Sequence, residues 1–183
     1  REMGFLETGQ AGTIQFVQGS LNIGEAMSPP VIKAVKTAAP ETDLAITDAP
    51  PGTSCPVIES IRDSDFVVLV TEPTPFGLHD LKLAVEMVRA LRLPFGVVVN
   101  RAGLGDRAVH LYCRREAIKV LAEFSDDRRI ARWCERNYDT ARDSLLRKAP
   151  WRFAVKLVEQ IRVNRLPQRG LTQPGGHQQL MRV

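Results

Sequence analysis

The chain has 183 residues, 44% hydrophobic and 25% charged, with a net charge of +4. This composition excludes collagen-like, coiled-coil and wholly disordered chains. Its longest apolar runs, such as Phe66 to Val70, fall far short of the ~20 residues that span a bilayer. No basic-then-apolar leader opens the sequence, and Cys55, Cys113 and Cys134 are too few and too scattered for a disulfide framework. A reduced, cytoplasmic protein is expected.

Charge is uneven along the chain. Residues 1–100 carry 7 basic against 12 acidic residues, and residues 101–183 carry 18 against 9. In the second half the basic residues stand among acids, as where Arg128, Arg129 and Arg132 follow Asp126 and Asp127. Solvated helix faces explain that mixture. A nucleic-acid surface is not expected, because aromatics are only 6% and no stacking platform is visible.

In chain order, Gly4, Gly9, Gly12 and Gly19 are spaced through a loop-like opening stretch. Pro30 to Ala38 reads as a helix with Val31, Ile32 and Val35 on one face. Leu44 to Thr47 is a short apolar run ending at Asp48. Phe66 to Val70 is a second, ending at Thr71-Glu72-Pro73. Leu78 to Leu91 reads as a helix, with Leu78, Leu81, Val85, Val88 and Leu91 three and four apart. Phe95 to Val99 is a third run, ending at Asn100, and Ile118 to Leu121 a weaker fourth. Short runs apolar on both faces, alternating with helices, predict an α/β fold with a mainly parallel sheet and flanking helices. In such sheets chemistry sits beyond the carboxyl ends of the strands, here Asp48, Glu72 and Asn100. Beyond Leu166 the chain turns polar and rich in Pro and Gly, and residues 164–183 are expected to form an unfolded tail.

The sharpest segment is Asp48-Ala49-Pro50-Pro51-Gly52-Thr53-Ser54-Cys55-Pro56. A strand-end aspartate can hold a magnesium ion through water. Two prolines stiffen the turn, and a glycine lets a backbone N–H approach a terminal phosphate oxygen. The same residues also fit a rigid turn in which Asp48 only caps. Cys113 and Cys134 read as structural. His79, His110 and His177 have no nucleophile or carboxylate pattern around them, so no hydrolase triad is expected.

Asp48 to Gly52, Thr71-Glu72-Pro73-Thr74 followed by Asp80, and Val99-Asn100-Arg101 resemble the MinD/ParA-like P-loop ATPases. Gly19 to Glu25 and the full Asp48 to Pro56 string are most similar to the MinD-superfamily proteins with an inserted ferredoxin domain, relatives of the nitrogenase iron protein. The resemblance implies that Asp48 is the magnesium-linked Walker B aspartate, and that Pro51 and Gly52 form the switch that senses the γ-phosphate. It places Asn100 on the adenine edge with Arg101 beside it, and Ser125 and Asp127 in the next base-side loop. That loop lacks the family's proline. A switch-loop cysteine at the spacing of Cys55 binds a shared cluster in the iron protein, whereas here a small buried thiol is expected at Cys55 and no cluster.

No glycine-rich lysine loop (Walker A) and no ferredoxin-type cysteines occur in the chain. The resemblance therefore implies the C-terminal part of such an ATPase at residues 1–163, inactive alone. The complete protein would use ATP and Mg2+ and carry 4Fe–4S clusters in its inserted domain. It would couple ATP hydrolysis to switching of a homodimer, or of a heterodimer with a paralogue, and pass electrons to a partner. The alternative is a non-catalytic α/β scaffold that pairs with a complete homologue.

Overall fold

A computed structural model describes residues 2–126 and 178–182. They divide into two compact units, one taking in the described residues to 69, 80–95 and 178–182, the other 70–79 and 96–126.

The first unit opens on an antiparallel hairpin of β1 (Gly4–Ala11) and β2 (Ile14–Leu21), where the sequence pattern predicts loop. The register explains the difference. It puts Leu6 opposite Gly19 and Thr8 opposite Val17. A Cβ on Gly19 would run into Val31 and Val35 of α1 (Pro29–Ala38), so this face lies on the helix. Phe5, Ile14 and Phe16 share the other face, about half exposed. With apolar residues on both faces and glycines between them, no alternation marks the strands. Helix α1 begins within one residue of its expected start. Its prolines sit in the first turn, where the missing N–H would have had no partner.

Next come β3 (Leu44–Asp48), α2 (Cys55–Ile61), β4 (Phe66–Thr71) and α3 (Pro75–Ala90). Strands β3 and β4 flank the parallel strand β7 (Gln178–Arg182), with Leu44 opposite Gln178 and Phe66 opposite Leu180. The segment expected as an unfolded tail thus contains a paired strand, and residues 164–177 lie outside the described residues. Val57 and Ile61 of α2, Val67 to Leu69 of β4, and Leu81, Val85 and Val88 of α3 are buried. The α3 spacing of three and four is the one expected of a helix covering a sheet.

Lys36 of α1 bonds the Asp63 carboxylate at 2.7 Å and the Glu59 carbonyl at 3.2 Å. The hydrogen bond from Lys36 is the main reason that the Asp63 carboxyl titrates below its ordinary 3.8, against the opposing cost of burial. A lowered folded-state pKa contributes stability that is present above the unfolded value and lost as pH falls through the folded one. Asp63 is 68% exposed along its side chain, so Asp63→Asn is expected to cost only ~0.2–1 kcal/mol at neutral pH. In urea unfolding the two proteins should converge as pH falls below 3.8. A gap that persists in acid would mean that the substitution acts through packing.

In the second unit β5 (Phe95–Ala102), α4 (Ala108–Arg115) and β6 (Val120–Ser125) form a βαβ unit with β5 and β6 parallel. Val97 to Val99, Val109, Tyr112, Cys113 and Leu121 form its core. Apolar strands joined through helices are what a buried parallel sheet requires. The chain is an α/β protein with a parallel sheet flanked by helices, as its sequence pattern predicts. Among the described residues no helix is long and apolar enough to cross a membrane.

Candidate functional site

In the first unit β3 ends on Asp48, which is exposed. Ala49 turns inward, Pro50 and Pro51 follow, and Gly52 has φ 97°. That backbone region favours glycine, so the stiff prolines and the free glycine divide the work of the turn. Asp48, Pro51 and Gly52 stand on one exposed loop at the carboxyl end of a parallel strand. Cys55, expected to be buried, is exposed at the start of α2. The signal for burial was only the preceding proline turn, and the turn leaves the thiol outside. Cys113 is buried, which pushes its thiol up and keeps it protonated at neutral pH.

In the second unit the end of β4 is fastened to the start of α3. The Thr71 hydroxyl donates to the Gly77 carbonyl at 2.8 Å, and the Gly77 N–H donates to the Thr74 hydroxyl at 3.0 Å, capping the helix. A Cβ on Gly77 would strike the Glu72 carbonyl, so the turn closes this tightly only around glycine. Glu72 is thereby fixed at the strand end.

Strand β5 carries an irregularity at its own end. Val99 lies opposite Glu123 and Ala102 opposite Ser125, three steps on one strand against two on the other. The extra residue is a bulge at Asn100–Arg101, a device that re-aims side chains. Asn100 is half-buried, and Arg101 has φ 53°. The Arg101 guanidinium reaches Glu72 at 3.7 Å through Nη1 and hydrogen-bonds Asp126 at 3.3 Å through Nε.

One arginine therefore ties together the carboxyl ends of β4, β5 and β6. Ser125 lies opposite Ala102, the residue after Arg101, while Asp127 lies outside the described residues. The sequence places Glu72 and Asn100 at strand ends. It does not reveal the Glu72–Arg101–Asp126 link, whose only signal is opposite charges at successive strand ends.

Among the described residues no three His, Cys, Asp or Glu side chains are grouped to hold a metal ion. Asp48 suits only a water-mediated hold on magnesium, an ion that keeps most of its hydration shell. The described residues do not fit a resident 4Fe–4S cluster, which takes four cysteine ligands.

No family model and no solved structure matches the chain. Two uncharacterised proteins of Methanocaldococcus jannaschii are similar to it. One is 31% identical over 55% of this chain and 43% of its own length, the other 30% over 58% and 39%. An iron-sulfur cluster carrier protein of the same organism is 32% identical over 41% of this chain and 26% of its own length. The chain spans less than half of each relative, and its likeness to the iron-sulfur cluster carrier protein is partial.

Proposed function

We propose that the chain carries part of an ATP site of the MinD/ParA type. The observation that carries this reading is the end of β3, where Asp48 runs directly into two prolines and a glycine at φ 97°. Asp48 would hold a water of the magnesium ion, and Gly52 would present its N–H to the terminal phosphate. Asn100 would hydrogen-bond the adenine edge, since a side-chain amide donates and accepts at once. Ser125 and Asp127 would frame the base, with Arg101 beside Asn100. The glycine-rich lysine loop that cradles phosphates does not occur in these 183 residues. In this reading it comes from outside them, and residues 1–163 are the C-terminal part of the ATPase domain.

The complete protein would couple ATP binding and hydrolysis to the switching of a dimer, with itself or with a paralogue. Likeness to an iron-sulfur cluster carrier protein supports a cluster as cargo; a cluster that passes electrons to a partner is the other form of this reading. The second reading is a non-catalytic α/β scaffold that pairs with a complete homologue.

Calorimetry with ATP and magnesium tests the first reading, on this chain and on a version extended upstream to include a phosphate loop. The chain alone should bind ATP weakly, with no turnover, because backbone donors and the lysine supply most of the phosphate stabilisation. The extended version should bind and hydrolyse it. Magnesium-dependent, micromolar binding with turnover by the chain alone would overturn the partial-site reading. A silent extended version would favour the scaffold.

A further inference from the structure

Three non-glycine residues among those described have positive φ: Arg92, Arg101 and Ala117. Two have an ordinary cause. Arg92 ends α3, where the Leu93 N–H donates back to the Val88 carbonyl, and Ala117 ends α4, where the Ile118 N–H donates to the Cys113 carbonyl. Both are helix C-caps of the kind that uses one left-handed residue. Arg101 caps nothing. It lies inside β5, at the bulge that follows Asn100.

A side chain held in that backbone region points to a local constraint with a use. Stability does not account for it. The partners of Arg101 are roughly half exposed, at 41% for Glu72 and 43% for Asp126, and pairs of that kind add little to folding. What the two carboxylates do fix is direction. They hold a planar fork from two sides, and the fork belongs to the residue that forms the bulge. They also outnumber its charge, two against one, so the cluster is no anion site. A neutral group beside it is better accommodated than a phosphate.

We propose that Arg101 is a positioning residue, clamped between Glu72 and Asp126 so that the bulge aims the Asn100 amide at a purine base. Arg101 itself does not contact the ligand. This rests on the base-side reading proposed above and adds to it the device that sets the geometry.

Adenosine, which has no phosphate, is the probe. The wild type and the Arg101→Gly, Arg101→Lys and Glu72→Gln variants are titrated while NMR follows the Asn100 side-chain amide. Backbone hydrogen exchange is measured over residues 100–102 and 123–125. Glycine relieves the backbone and removes the clamp. It should weaken adenosine binding about five-fold or more, as loss of orientation does, and speed exchange across the bulge about ten-fold. Lysine, a point charge without the fork, should recover part of both. Glu72→Gln should weaken binding too. If Arg101 instead met the ligand, releasing it would leave affinity unchanged or raise it, which overturns the proposal. Unchanged exchange and an unmoved Asn100 amide signal in Arg101→Gly overturn it as well. A wild type that binds no adenosine overturns the base-side reading, while exchange and the amide signal still decide whether the clamp exists.

Discussion

Replacing Leu69 by alanine is expected to remove about 2–5 kcal/mol of stability, a large part of the ~5–15 kcal/mol typical of a domain. Leu69 is 1% exposed, in the middle of β4, with Val67 and Val68 buried before it. A rigid strand cannot collapse into the space left behind, so the lost contacts and the cavity both count. With a urea slope of about 2 kcal/mol per M, the unfolding midpoint should fall by roughly 1–2 M. Leu83 is the internal control. It lies on the outer side of α3, 42% exposed, and its alanine variant should stay within about 0.5 kcal/mol of wild type. Equal small shifts for both would mean that β4 is not packed as described.

Leu69 and Leu83 also show what kind of information the sequence holds. The run Phe66 to Val70 and the spacing of Leu81, Val85 and Val88 are local patterns set by burial, and periodicity alone places β4 and α3. The hairpin of β1 and β2 escapes for the opposite reason. Its glycines read as breakers, while one of them, Gly19, is where β2 approaches α1, a contact between residues distant in sequence. Strand β6 is displaced from its expected Ile118 to Val120 because its register is set by pairing with β5. At the candidate site the places of Asp48, at the end of β3, and Glu72, just past β4, follow from where apolar runs stop, whereas β5 continues beyond Asn100 to Ala102. The bulge, the left-handed Arg101 and its two carboxylates depend on how three strand ends meet, and no local pattern encodes that. Cys55 is a case where local reading misled. A turn rich in proline says that the chain bends, not which side of the bend faces water.

If the ATP site proposed above exists, then in a version extended to include a phosphate loop Asp48→Asn is expected to lower hydrolysis at least about ten-fold, equivalent to ~1.4 kcal/mol of barrier. Asparagine keeps the size of aspartate and its acceptor oxygen, so the turn through Pro50, Pro51 and Gly52 should survive. What it removes is the full negative charge, which matters to a hydrated dication more than to any neutral hydrogen bond. Magnesium in such a site neutralises charge as it develops on the transferring phosphoryl group, more in the transition state than in bound ATP. The loss should therefore fall mainly on kcat, with a modest change in ATP affinity. Steady-state hydrolysis over a magnesium titration separates the alternatives. A defect that extra magnesium repairs places Asp48 in ion binding alone. One that persists at saturation places it in the chemical step. Turnover equal to wild type at every magnesium concentration would reduce Asp48 to the cap of a proline turn and remove the main support for an ATP site in this chain.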